Sequence, residues 1–196
     1  MRRPRLLYDI AGTSVIEFGP SLPLLIPLFV GGFQLNDAIA AYRKLTVTTR
    51  TIVDLTSQFT IVDNTRLNSI MNASKQVMAP YSTTDTTMII NQVKIDANRV
   101  APIDWSIARN TATLRPRSEY NLAINVRQPE TYILVARMTY LYKPLFASKL
   151  LGSIPMTETI IMSPRASDRV TKPWKFVPTA SVHWRGASSA TNAAPR

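Results

Sequence analysis

Residues 18–33 carry no charged side chain, and this stretch constrains the fold more than any other feature of the chain. The apolar segment as a whole covers residues 16–35, which is 20 residues. About 20 residues of α-helix cross the roughly 30 Å hydrocarbon core of a bilayer. Arginines at positions 2, 3 and 5 precede the segment, so the positive-inside rule keeps the N-terminus in the cytoplasm. The sequence therefore predicts one transmembrane helix over residues 13–35, with the rest of the chain outside the cytoplasm.

Glu17 and three prolines make this segment unusual for a simple anchor. An ionisable side chain costs about 2.5–3.5 kcal/mol at the centre of a membrane helix, so an acid at the edge of the span is expected to have a function. Pro20, Pro23 and Pro27 each lack a backbone donor, and proline inside a helix bends or interrupts it. We expect such a helix to pack against copies of itself, because neighbouring helices can satisfy the freed carbonyl groups.

The segment has three interpretations, which differ in where the chain is cut. In the first, it is an uncleaved signal anchor. In the second, it is a secretory signal that is cleaved after Ala40, at a small-x-small sequence. In the third, cleavage follows Gly12 on the cytoplasmic side and the apolar segment is retained. The third is favoured because it alone gives Glu17 a role: the new amine of Thr13 is cationic near neutral pH, and Glu17 of a neighbouring subunit can neutralise it.

The residues around Gly12 resemble the processing site of type IV prepilins, in which glutamate is the fifth residue after the glycine. The form found here is Ala11-Gly12-Thr13-Ser14-Val15-Ile16-Glu17-Phe18. This form is similar above all to the TadE/TadG-type pseudopilins of tight-adherence (Tad) pili. The resemblance continues, in the same order, in residues 50–58, 139–146 and 162–165.

That resemblance implies a minor component or assembly factor of an adhesive pilus, held in the bacterial inner membrane with its domain in the periplasm. Residues 1–12 are then a leader that a prepilin peptidase removes after Gly12. Thr13 becomes the new N-terminus, and Glu17 with Phe18 serves recognition and assembly. The implied partners are the membrane, the prepilin peptidase, other pilus subunits and the Tad assembly proteins.

Residues 36–170 are predicted to form an extracytoplasmic α+β domain, because helical patterns precede strand patterns. The membrane helix is expected to continue as an amphipathic helix whose stripe packs on the domain's own sheet; self-assembly through the stripe is the alternative. The stripe consists of Ile39, Tyr42, Leu45, Thr49, Ile52 and Thr56. A second helix should start at the capping sequence Asp63-Asn64-Thr65 and stop before Pro80, with Met71 and Met78 in the core rather than as metal ligands.

Four β-branched and apolar runs then predict a small antiparallel sheet. These runs are residues 86–95, 104–108, 132–142 and 157–162. The third is the clearest, because large apolar residues fall on both of its alternating faces. Pro144, Leu145 and Phe146 are expected to end this strand and close the end of the sheet. Residues 171–196 lack periodicity and are rich in Pro, Ala, Ser and Asn, which predicts a disordered tail containing Trp174 and Trp184.

Composition limits the remaining function classes. The chain of 196 residues contains no cysteine and one histidine, His183. Disulfides, thiol catalysis, cysteine-ligated metal sites and multi-histidine metal sites are therefore excluded. No nucleotide-binding or hydrolase motif is present, and we expect no enzymatic activity, cofactor or small-molecule substrate. The net charge of +11 is scattered rather than gathered in a basic stripe, so nucleic acid is not an expected partner. A signal-anchored or secreted basic module that binds an anionic envelope polymer is the alternative function.

Overall fold

One long helix, one short helix and a four-stranded antiparallel sheet make up the computed structural model, which describes residues 18–146 and 152–173. A 3-10 turn, Gly19–Ser21, leads into helix α1, Leu22–Ser57, and helix α2 covers Asn64–Met78. The strands are β1 (Thr87–Ile95), β2 (Ile103–Arg109), β3 (Thr131–Tyr142) and β4 (Ile154–Met162), with a 3-10 turn at Ile124–Val126 before β3. Their order in the sheet is β2-β1-β3-β4. This arrangement confirms the predicted α+β fold.

Helix α1 accommodates its prolines mainly at its start. Pro20 lies in the 3-10 turn and Pro23 in the first helical turn, where a missing backbone donor has no intrahelical partner to lose. Only Pro27 lies inside the helix. From Leu22 onward, the predicted membrane segment and the amphipathic segment are therefore one helix of 36 residues.

The C-terminal half of α1 packs on the sheet, as its stripe predicts. Leu45, Thr49, Ile52 and Thr56 are all buried. The hydroxyl groups of Thr49 and Thr56 donate to backbone carbonyls four residues earlier, which satisfies these polar groups inside an apolar interface. The prediction is wrong for the first two members of the stripe, because Ile39 and Tyr42 are each 44% exposed. Ile39 lies on the side of α1 that faces away from the sheet, and Tyr42 lies at the margin of the packed side, where it contacts Glu158 of β4.

Helix α2 begins and ends where the sequence predicts. The Asp63 side chain accepts a hydrogen bond from the backbone N–H of Arg66, which satisfies a free donor of the first turn. The helix ends at Met78, two residues before Pro80. Met71 and Met78 are fully buried in the core, as the apolar face of this helix predicts.

The sheet has a core on each face, which explains why β3 is apolar on both sides. Leu134, Ala136 and Met138 face the helices. Ile133 and Val135 face the opposite side, where the chain between β2 and β3 covers them with Tyr120 and Leu122. A break in register opposite Gln92 and Val93 places one extra residue in β2. Because of this bulge, Trp105 joins the first core while Ile103 joins the second.

Residues 163–173 cross back from β4 to the end of α1 and to the open edge beside β2; we call this segment the strap. The backbone N–H of Arg165 donates to the carbonyl of Ser57, and Val170 is fully buried. Thr171 pairs with Ile61 in an isolated parallel bridge. Thr171 and Lys172, the first two residues of the predicted tail, form hydrogen bonds with the domain. The remainder of the predicted tail, including Trp174 and Trp184, lies outside the described residues.

Pro144, Leu145 and Phe146 follow β3, which ends at Tyr142 as predicted. Pro144 is buried, whereas the next two residues do not close the end of the sheet. Leu145 is 73% exposed and Phe146 is 65% exposed, so neither side chain fills the core.

Candidate membrane anchor and its junction with the domain

Three of the four residues predicted to serve processing and assembly lie outside the described residues. These are Gly12, Thr13 and Glu17. The fourth, Phe18, is 56% exposed and lies directly before the first 3-10 turn. The site that the structure describes is therefore the helix that follows these residues.

The N-terminal half of α1 exposes large apolar side chains. Leu24, Leu28 and Phe29 are each at least 70% exposed. Only 6% of the most apolar 18-residue stretch is buried, whereas the core helix of a globular domain is mostly buried. By length and composition, this is the one helix among the described residues that can cross a membrane. A Cβ added to Gly31 or Gly32 would meet no atom within 4 Å, so intramolecular packing does not require glycine at either position.

Asp37 fastens the exposed half of α1 to the domain. Its Oδ1 accepts a hydrogen bond from the hydroxyl of Tyr81 at 2.8 Å, and its Oδ2 accepts one from the hydroxyl of Tyr142 at 2.8 Å. The same tyrosine hydroxyls also approach backbone carbonyls of α1, at Asp37 and Gln34 respectively. We call this group of Asp37, Tyr81 and Tyr142 the tyrosine clamp. It joins α1 to the segment after α2 and to the end of β3.

Burial and the Asp37 carboxylate both favour the protonated form of the clamp tyrosines. Burial is the larger effect, and with the hydrogen bond to Asp37 it raises the pKa of Tyr81 and of Tyr142 to about 12. Tyr140, which packs edge-on against Tyr81 with 6.1 Å between ring centroids, also has a raised pKa because of burial. The clamp hydroxyls therefore remain hydrogen-bond donors at neutral pH.

A second contact lies one turn further along α1. The hydroxyl of Tyr42 donates to Oε2 of Glu158 on β4 at 2.7 Å, and this bond raises the pKa of Tyr42. Because Tyr42 is exposed, the contact is solvated. The contact shows that β4 runs alongside α1. Glu158 lies beside Tyr42, and the strap residue Arg165 lies beside Asp54 further along the helix.

The side of α1 that faces away from the sheet forms a shallow groove with α2. Ile39, Arg43 and Val47 contribute the α1 side, and Val77 contributes the α2 side. Arg43 and Lys44 are both exposed, and neither belongs to an ion pair within residues 18–146 and 152–173. This side is therefore apolar and cationic.

A second concavity lies at the β2 edge, under the strap. Trp105, Arg169 and Lys172 line it together with Asp104. The Lys172 Nζ lies 5.8 Å from the centroid of the Trp105 ring and donates to the carbonyl of Ser106 at 3.2 Å. Burial lowers the pKa of Lys172. Two cations and an indole in one cleft can bind an anionic group.

Within the part of the chain that the structure describes, no group of three or more potential metal-ligating side chains comes together.

No family model, curated protein or solved structure matches the chain.

The tyrosine clamp escapes sequence reasoning, because its three members are 44 and 105 residues apart. The sequence holds one signal that points to it. Asp37 is the first charged residue after the apolar stretch, and an acid at that position needs a partner or water. The identity of the partners depends on how the sheet lies against α1, which no local pattern encodes.

Proposed function

We propose that this protein is a membrane-anchored, TadE-like pseudopilin that serves as a minor component or assembly factor of a Tad-type pilus. One observation supports the proposal most. Helix α1 is continuous from an exposed apolar half into a half that packs on an α+β domain. A helix of this kind can hold the domain at a bilayer surface and offer an apolar side to neighbouring subunits.

The assembly mechanism that we propose is non-covalent. Cleavage after Gly12 creates a cationic amine at Thr13, and Glu17 of an adjacent subunit pairs with it as the helices stack. Pairing removes two isolated charges from an apolar bundle, so only the register that brings them together is favoured. The exposed surface at Gly31 and Gly32 allows close approach of a second helix at the same depth.

The continuity of α1 also weighs against cleavage after Ala40. A chain starting at Ala41 would begin in the middle of α1, at a fully buried residue. It would also lack Asp37 and so lose the tyrosine clamp. A secretory signal is normally separate from the folded domain that it exports, whereas this segment is part of the domain's longest element.

The N-terminus of the mature protein, determined by intact mass in its own host, tests the proposal. We expect a chain that starts at Thr13. A start at Ala41 would indicate a secreted domain, and retention of Met1 would indicate an uncleaved anchor. Either of these results would remove the amine that Glu17 is proposed to neutralise, and with it the assembly mechanism.

The cleft at Trp105 supports a second candidate function, the binding of an anionic envelope polymer. Arg169 and Lys172 supply positive charge there, and the Trp105 ring supplies an apolar surface for a sugar. Binding of the full chain in detergent to polygalacturonate tests this function. Replacement Lys172→Gln should weaken binding, whereas Lys75→Gln, an exposed change on α2, should not. Equal affinity of both variants and the unaltered chain would exclude the cleft as the binding site.

A further inference from the structure

The membrane-proximal end of the domain presents apolar and cationic side chains in the direction of the bilayer. We infer that this end rests on the headgroup layer and binds anionic phospholipid, through Arg43 and Lys44 on α1 and through Leu145 after β3. This inference rests on the membrane anchoring in the proposed function and adds a lipid partner to it. We call Ile39, Arg43, Lys44, Leu145 and Phe146 the junction surface.

Strand β3 runs toward the membrane end of α1. Its residue Met138 pairs with Glu158, which contacts Tyr42, whereas Tyr142 contacts Asp37. From Met138 to Tyr142, β3 advances while its contacts on α1 move from Tyr42 back to Asp37. The strand therefore runs antiparallel to α1, toward the helix N-terminus. Leu145 comes three residues later, in the turn that follows the strand, and is 73% exposed. A leucine with that exposure at the end of a domain that faces a bilayer can enter the interfacial layer.

Helix geometry places the two cations within reach of the same layer. With a rise of 1.5 Å per residue, Ile39 lies about 6 Å beyond the end of the apolar segment at Leu35, and Arg43 lies about 12 Å beyond it. The headgroup layer is about 5–8 Å thick on each side of the hydrocarbon core. Side chains on a helix lean toward its N-terminus, which here is the membrane side. Long basic side chains can also extend along the helix surface, so Arg43 and Lys44 can contact lipid phosphates.

The charges at this end favour anionic lipid over a neutral surface. Asp37 and Glu158 keep their negative charge, but both are bound by tyrosine hydroxyls where α1 meets the sheet. Arg43 and Lys44 instead line the groove on the other side of the helix. Asp85 forms an ion pair with Lys143 at 3.4 Å. Arg43 and Lys44 are in no ion pair among the described residues, so they are the cations available to a phosphate. Basic side chains near an anionic membrane surface are attracted to it, and the attraction falls off within a Debye length.

The absence of cysteine allows the contact to be tested with single spin labels on the full chain. The label sites are Ser153→Cys beside the junction surface, Leu28→Cys within the apolar half of α1, and Thr60→Cys at the far end of the domain; all three residues are exposed. The chain is reconstituted in phosphatidylcholine vesicles with or without phosphatidylglycerol. The measurement is the accessibility of each label to a water-soluble paramagnetic reagent.

We expect the label at position 153 to be several-fold less accessible when phosphatidylglycerol is present, while the label at position 60 does not change. The variant Leu145→Ser and the double variant Arg43→Gln/Lys44→Gln should each restore the accessibility at position 153. Both change only exposed side chains, so the fold should be kept. Replacement Arg50→Gln, on the same helix but about 10 Å further from the membrane, is the matched control and should have no effect.

Other outcomes would overturn the inference in distinguishable ways. Protection at position 28 without protection at position 153 would leave the anchor intact and exclude contact with the surface. Exposure at both positions would mean that the anchoring itself is wrong. Protection at position 153 only at high protein-to-lipid ratio would assign the junction surface to a second copy of the chain. Equal protection in both vesicle types, unchanged in the double variant, would exclude recognition of anionic lipid.

Discussion

Tyr142 donates a hydrogen bond to Oδ2 of Asp37 at 2.8 Å, although 105 residues separate the two in the sequence. Tyr142 is the last residue of β3 and is only 3% exposed, and Asp37 lies just after the apolar half of α1. The contact therefore fixes the sheet to the helix at the point where the helix leaves the domain. Together with Tyr81, which binds the other carboxylate oxygen, it determines the direction in which the exposed half of α1 projects.

Replacement of Asp37 by alanine should loosen this junction. The change removes the carboxylate that accepts from both tyrosine hydroxyls and leaves them only their longer bonds to the backbone carbonyls of residues 34 and 37. Hydrogen bonds to a charged group contribute about 1.5–3 kcal/mol each. Because Asp37 is only half-buried, we expect a total loss of about 2 kcal/mol. Hydrogen exchange of α1 amides in the full chain in detergent should increase near residues 34–45 and remain unchanged near residues 50–57.

A mutant cycle separates the clamp from a general loss of packing. The double variant Tyr81→Phe/Tyr142→Phe keeps both rings and removes both hydroxyls. If the clamp carries the effect, adding Asp37→Ala to this variant should cause little further loss of stability. Additive losses would show that Asp37 stabilises the junction by some other contact.

Alkaline pH should weaken the clamp within a defined range. An unperturbed tyrosine has a pKa of about 10, and in the fold the pKa of Tyr81 and of Tyr142 rises to about 12. The fold thus favours the neutral hydroxyl, so the stabilisation is complete below pH 10 and is lost as the pH rises from about 10 to 12. A near-ultraviolet titration should show two late tyrosinate transitions. Tyr142→Phe should remove one of these two transitions. If the unaltered chain showed no late transition, the prediction would be contradicted.

Local patterns were sufficient to predict most of the elements. The Asp63 cap and Pro80 bound α2, because each acts on the backbone within one helical turn. The alternation in residues 132–142 indicated a strand with two apolar faces, and the structure has a core on each side of it. The ends of α2 and the two apolar faces of β3 depend on residues close in sequence. A pattern of a few residues is therefore sufficient to predict them.

Contacts between distant segments were not predictable in the same way. The strap has no periodicity, and no local pattern predicts that Gln92 and Trp105 hold it through the backbone of Val170. Ile39 continues the apolar period of α1 but is exposed, because it lies on the side of the helix that faces away from the sheet. In both cases the outcome depends on where a second element lies, and the residue types alone do not determine that.

Gln92 should be the most sensitive polar residue of the core. It is fully buried, its Oε1 accepts from the N–H of Val170 at 2.8 Å, and its Nε2 donates to Asp104 at 2.8 Å. Replacement by leucine leaves the buried N–H of Val170 without an acceptor, which costs about 1–3 kcal/mol. Denaturant unfolding in detergent should show this loss. Arg165→Ala, which breaks the exposed pair with Asp54, serves as the control and should cost no more than about 1 kcal/mol.

Replacement of Glu17 by alanine should separate assembly from membrane insertion. The apolar span is unchanged in this variant, so the protein should still fractionate with the inner membrane. Assembly should fail, because the cationic amine of Thr13 then has no counter-charge within the helix bundle. Glu17→Gln has nearly the same size without the charge and should fail equally, whereas Phe18→Leu keeps the charge and should retain more assembly. Piliation and surface attachment measured in the native host distinguish these variants, and normal piliation in Glu17→Ala would mean that this glutamate does not set the register of stacking.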